Sequence, residues 1–197
     1  MSRVFHPLSH RPLLAGAQFQ HPVPPGERVR LDSPALEVMT DLRKVPAATI
    51  DGDAPLDAAN RFMIRRGVCL LLVADERRQV LGLITAADIL GERPVRFAVE
   101  RGVKRQDILV HDMMTPREFL EVLWYAELAG AEVGHVVATL KATGRQHALV
   151  AEPGADGAGQ MVRGIFSLSQ IARQLGVTLA PTEVARTFAE IEVALGH

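Results

Sequence analysis

Apolar and polar positions alternate between two periods along the chain, and the order of those periods predicts its elements. Leu56, Ala59, Phe62 and Met63 recur at helical spacing. They predict a helix capped by Asp51 or Asp53, with Pro55 in its first turn and Gly67 as its stop. Val68 to Ala74 is an unbroken apolar run, as expected of a strand buried on both faces. After a polar turn at Asp75 to Gln79, Val80 to Thr85 reads as a second strand and Ala86 to Leu90 as the start of a helix. Thr49-Ile50 reads as the end of a short strand before the first helix. The unit is strand, helix, strand, strand, helix.

The same order returns further along. Met39-Thr40 is matched by Met114-Thr115, and Gly67 by Gly144. The step Gly67 to Asp75 aligns with Gly144 to Glu152, and Gly82 to Ile89 with Gly164 to Ile171. The offset between copies grows because the second turn, Pro153 to Gln160, is longer. Matched anchors in one order indicate an internal duplication, and two such small units are expected to pack on each other.

The flanks differ from the repeats. Pro7, Pro12, Pro22, Pro24, Pro25 and Pro34 make residues 1–35 an extended Pro-rich arm. Repeat 1 is expected at 36–92, a linker with a short helix from Pro94 to Arg101 at 93–107, and repeat 2 at 108–176. A C-terminal helix follows within 177–197, with Val184, Phe188, Ile191 and Leu195 on one stripe.

Composition narrows the function. Of 197 residues, 22 are Lys or Arg and 23 are Asp or Glu, giving a net charge of −1, which argues against nucleic acid as a partner. The one cysteine, Cys69, excludes an internal disulfide and a cysteine-based zinc site, and fits a cytoplasmic protein. It falls in the predicted buried strand, where a thiol acts as a small apolar group. No apolar run is long enough to span a membrane, and the N-terminal stretch has no secretory apolar core beyond Pro12 to Ala15. His6, His10 and His21 lack ligand spacing and read as solvated arm residues. No nucleophile elbow, His-Glu-x-x-His or P-loop is present. Gly154 to Gly159 is glycine-rich but precedes a strand, so it reads as a hairpin turn. The expectation is a protein that is not an enzyme and requires no metal or cofactor.

The Met-Thr opening, the Gly67 to Asp75 step and Gly82-Leu-Ile-Thr-Ala-Ala-Asp-Ile89, each met twice, resemble the cystathionine-beta-synthase (CBS) domain, and the tandem resembles a Bateman module. The resemblance implies an α+β fold of two βαββα repeats related by a pseudo-twofold, in a homodimer that regulates an unknown protein partner. It implies an adenosine-type ligand (AMP, ADP, ATP or S-adenosylmethionine) in a cleft between repeats. In the family pattern the carboxylate of Asp88 accepts from both ribose hydroxyls, and Thr85 serves ribose or phosphate. An ordinary helix start, with Thr85 as cap and Asp88 in the first turn, remains open beside that role. In copy two Ser167 keeps the hydroxyl but Gln170 replaces the aspartate. The basic step opposite the Asp88 site is Arg145, Gln146 and His147, whereas copy one has Val68, Cys69 and Leu70. The expectation is one competent cleft, from Thr85, Asp88, Gln146 and His147, and one degenerate cleft. Adenine is expected near Ala47 to Ile50, including Thr49 and Ile50. Trp124 and Tyr125 read as packing residues with stacking as the alternative. Arg93, Arg96, Arg101, Lys104 and Arg105 read as a solvated basic face, with phosphate holding or an acidic partner surface as the alternatives. The other reading of the whole is a structural adaptor whose clefts no longer bind nucleotide.

Overall fold

The computed structural model describes residues 29–177, apart from 155, 156 and 158. Nearly all of the Pro-rich arm, with its three histidines, and the C-terminal apolar stripe lie outside the described residues.

Each repeat contributes a long helix and an antiparallel strand pair. In the first, α1 (Leu56–Arg66) ends at Gly67, whose φ of +64° is the left-handed cap that a side chain would strain. Strands β3 (Leu70–Ala74) and β4 (Val80–Thr85) follow, then α2 (Ala86–Leu90). In the second, α5 (Val133–Thr143) ends at Gly144, also left-handed, and β7 (His147–Pro153), β8 (Gln160–Ser167) and α6 (Leu168–Gln174) repeat the pattern. Both strand pairs carry an irregularity at the matched step, Val73/Ala74 and Val150/Ala151.

Two expectations change in detail. The cap of α1 is Pro55, with no side-chain hydrogen bond. The Asp51 carboxylate instead accepts from the Asp53 N–H at 2.8 Å and closes the preceding loop. Strand β3 begins at Leu70, so Cys69 is exposed rather than buried in a strand.

The short opening segments are exchanged between the repeats. One sheet runs β2-β3-β4-β5, with β2 at Thr49–Ile50 and β5 at Thr115–Pro116. The other runs β1-β8-β7-β6, with β1 at Thr40–Asp41 and β6 at Val122–Trp124. The opening Thr40 of copy one therefore lies opposite Ile165 of copy two, and Thr115 of copy two lies opposite Leu83 of copy one. Backbone bonds reinforce the exchange. The Leu56 N–H, an orphan donor at the start of α1, reaches the Ile108 carbonyl at 2.9 Å, and the Val133 N–H at the start of α5 reaches the Ser33 carbonyl at 2.9 Å. A folded layer is thus not the same set of residues as a sequence repeat.

Burial follows the strand period. Leu71 and Val73 face the first helical core with Leu56, Met63, Ile84, the exchanged Ile108 and the short exchanged helix α4 (Val110–Met113) through Val110 and Met113. Leu70 and Leu72 point the other way and meet Leu149 of the second repeat, so the two sheets pack face to face. The second core gathers Val136, Leu140, Phe166 and Ile171 with the exchanged Ala35 and Val38. Helix α3 (Arg93–Arg101) packs on the rim of the first core through Phe97 and Ala98, with Pro94 as its one buried residue, and Gly102 ends it with φ +65°.

Candidate functional site

A cavity of about 330 Å³ opens where the two sheets meet. Leu83 and Leu149 line its apolar part, one from each repeat. The first wall is the start of α2. Thr85 is extended there (φ −113°, ψ 163°) and caps the helix. Its N–H donates to Oδ2 of Asp88 at 2.9 Å, its hydroxyl donates to the same oxygen at 2.6 Å, and the Asp88 N–H lies 3.4 Å from Thr85 Oγ1. This is a reciprocal capping box. The other oxygen, Oδ1, accepts from Arg93 Nη1 at 2.7 Å. Asp88 is 16% exposed and Arg93 54%, so a half-submerged carboxylate is held by a guanidinium largely in water.

The second wall comes from the other repeat. Arg145 and Gln146 lie between α5 and β7, His147 opens β7, and all three line the cavity. Glu121, just before β6, lines it too and pairs with Arg145 at 3.1 Å. Leu120 completes this side, while Thr115 of β5 lines the cavity from the first sheet, opposite Leu83. His147 is half-buried, and its desolvation lowers its pKa from 6.5 to about 4 against the opposing pull of the Asp88 charge. The imidazole is therefore neutral at pH 7 and offers one donor and one acceptor.

That shift has a stability consequence. The unfolded chain takes up the proton near pH 6.5, the folded chain near 4, so protons favour unfolding between those values. Thermal midpoints should rise with pH from about 4 to 6.5 and level off above. In His147→Gln this part of the slope should vanish; an unchanged slope would mean the imidazole stays solvated.

The structure brings Thr85, Asp88, Gln146 and His147 into one cavity and leaves out three other residues singled out above. Thr49 and Ile50 lie in β2, paired with Leu72 and Val73, and are not among the lining residues. The segment entering this cleft is the one just before β6 in the opposite repeat, through Leu120 and Glu121. Ser167 lies across the ladder from His147, at the start of α6, with its hydroxyl 3.0 Å from that of Ser169. Gln170, the counterpart of Asp88, accepts from the Thr40 hydroxyl at 3.1 Å and ties α6 to the exchanged β1.

Tyr125 packs partly buried against the second core, its ring 4.9 Å from the Arg163 guanidinium, and Trp124 is 36% exposed at the end of β6. The basic face is mostly engaged locally. Arg105 donates to the Ile89 carbonyl at 3.0 Å, and Arg101 lies over the Phe97 ring at 5.8 Å. Sequence reasoning missed Glu121; its approach to Arg145 follows from the parallel pairing of β6 with β7. Among the described residues no cluster of three or more His, Cys, Asp or Glu could hold a metal, and no helix is long and apolar enough to cross a membrane.

Residues 35–94 match the family model of the CBS domain. The fold is shared with solved structures. An uncharacterized conserved protein from Pyrococcus horikoshii is 22% identical with a TM-score of 0.55, over 78% of this chain and 100% of its own. A CBS-domain containing protein from Agrobacterium tumefaciens is 16% identical with a TM-score of 0.51, over 70% of this chain and 93% of its own. This chain has the fold of a tandem CBS-domain protein. CBSX2, solved in complex with AMP, is 18% identical over 72% of this chain and 94% of its own, with a TM-score of 0.49. No curated protein sequence matches the chain. In CBS terms, the cavity is the cleft between the two repeats.

Proposed function

We propose that this CBS pair is a non-catalytic regulatory protein of the cytoplasm that binds an adenosine-type nucleotide in the cleft between its repeats. What carries the reading is the placement of Asp88, whose carboxylate lines the cleft opposite Gln146 and His147 of the other repeat. Oδ2 is committed to the helix cap, while Oδ1 holds only an exposed arginine. A ribose diol can take the place of Arg93 there, because an ion pair open to water is worth little. Gln146 and His147 supply neutral hydrogen-bond groups from across the cleft, so a bound ligand touches both repeats at once. A ligand that bridges two units shifts their packing only as far as it binds one arrangement better. The second cleft is the degenerate one in this reading, with Gln170 occupied by Thr40. A homodimer and a regulated protein partner stay part of the proposal on the resemblance alone.

The test is thermal unfolding of the full chain with AMP, ADP, ATP and S-adenosylmethionine. At about 100 times its dissociation constant, a ligand should raise the midpoint by about 5–10 °C. Asp88→Ala should weaken that ligand about 100-fold, since two hydrogen bonds to a charged acceptor are lost. Asp88→Asn keeps an oxygen for the cap and separates lost capping from lost binding. No shift with any compound, in protein purified free of adenine, would favour an adaptor that works through its surfaces.

A further inference from the structure

Arg93 stands where a helix least favours it. Helix α3 opens on this cation, has no acidic residue in its first turn, and its cap residue Glu92 makes no side-chain cap bond. A positive charge at the positive end of the helix dipole is unfavourable. Glu92 is exposed and reaches only toward Arg96, at 3.9 Å. What offsets the Arg93 charge is Asp88 on α2, whose Oδ1 accepts from Nη1 at 2.7 Å. The same carboxylate is the ribose acceptor of the nucleotide reading, on which the following inference rests. A carboxylate offers about four acceptor sites over its two oxygens. The Thr85 N–H and hydroxyl fill those of Oδ2, and Arg93 takes one on Oδ1. One site is left, and a ribose diol needs two. The diol and Arg93 therefore exclude each other.

Displacing Arg93 reaches beyond the cleft, because α3 has few other holds. Pro94 is buried and Phe97 and Ala98 rest on the rim of the first core, while Val95 and Val99 are exposed. Past Gly102, Arg105 makes a second anchor on α2 through the Ile89 carbonyl, at 3.0 Å. The chain then runs through Ile108 and α4 to Thr115 of β5, which lines the same cleft. The connection between the repeats thus leaves the cleft at Asp88 and returns to it at Thr115. We propose that Arg93 is a latch on Asp88, and that a ligand taking this carboxylate releases the start of α3 and so reports cleft occupancy to the connection between the repeats. The released cation is then left at the positive end of its own helix, which loosens the first turn further. Local opening of such a weakly held element needs little free energy.

Calorimetric titration and amide hydrogen exchange of the full chain, with adenosine and AMP as probes, test this. Removing the competitor in Arg93→Ala should tighten adenosine about 2- to 5-fold, the range of an ion pair open to water. Arg93→Lys, which keeps a cation, should fall between the two. Salt should act in the same direction. Raising the ionic strength from about 0.01 to 1 M should tighten adenosine in the natural chain and leave Arg93→Ala unchanged, because only the natural chain has a latch to screen. Coupling is reciprocal, so binding should speed exchange across Arg93–Arg101 by about the same factor while slowing it at Thr85 to Asp88. In Arg93→Ala the helix should exchange fast already and ignore the ligand. The exchange is read with whichever probe saturates the protein. Binding that is unchanged or weakened in Arg93→Ala, or exchange in α3 that slows or stays level on binding, would overturn the latch and leave the nucleotide reading standing. Failure of both probes to bind either protein would overturn both.

Discussion

Gly82→Ala should lower the unfolding midpoint by about 5–10 °C, and Gly164→Ala by clearly less. The two glycines hold equivalent places in the repeats, each beneath an exchanged Met-Thr segment. A Cβ at Gly82 would lie 2.5 Å from the Thr115 carbonyl oxygen and 3.3 Å from Pro116 Cα. Both are backbone atoms of β5, which is registered on β4 at that point. The strand would have to move, and its hydrogen bonds with it. At Gly164 the nearest atoms, at 2.5, 2.8 and 3.1 Å, all belong to the Met39 side chain. A thioether with three rotatable bonds can swing aside. Differential scanning calorimetry of the two variants decides the point; equal losses would mean that the backbone at Thr115 yields as easily as a methionine.

A loss on the order of 10 °C is expected for Arg163→Met, measured by the same method. Arg163 is the buried charged side chain among the described residues, 6% exposed on β8. It grips both carboxylate oxygens of Asp41 on β1, the second at 3.0 Å, and lies 3.5 Å from Glu152 and over the Tyr125 ring. Arg43 closes the network on Glu152 at 2.6 Å. The Arg163 hydrogen bond holds the Asp41 carboxyl below the usual 3.8, and Asp41 in turn raises the pKa of Arg163. A depressed carboxyl stabilises the fold above its ordinary pKa, and that contribution is lost as pH falls below about 3.8. Removing the arginine leaves Asp41 half-buried without its partner, which is the costly way to break such a pair. Replacing both, as Asp41→Leu with Arg163→Met, should recover much of the loss. If the double variant is no better than the single, the pair's value lies elsewhere than in charge compensation.

Local signals made much of this fold legible. Gly67 and its counterpart Gly144 were readable as helix stops because a left-handed cap is chemistry of one residue. The paired strands and their repetition followed from period and spacing. The exchange of β1 and β5 was not readable, because Met39-Thr40 looks the same whether it pairs within its own copy or with Ile165 of the other. The same blindness extends to the cleft. Position in the repeat points to Thr49 and Ile50 as adenine contacts, while the crossed arrangement brings Leu120 and Glu121 beside Asp88. At Thr85 and Asp88 the sequence permitted both a helix cap and a ribose contact. The cap is present, and it uses one carboxylate oxygen rather than both. Cys69 was misplaced by one residue of strand, since an apolar run does not say where the ladder begins.

The crossed edge strands also bear on how the molecule can be divided. Cutting the chain between residues 101 and 108 would yield two pieces that each carry the wrong border. The N-terminal piece would keep β2, β3 and β4 but lose Ile108, Val110 and Met113 from its core, while retaining Ala35 and Val38 with no core of their own to enter. The C-terminal piece would be short of its first strand and still hold β5, whose place is elsewhere. Duplication of such a unit therefore cannot be undone by scission. Each half is a donor to the other, and the pair is the smallest part that closes both sheets.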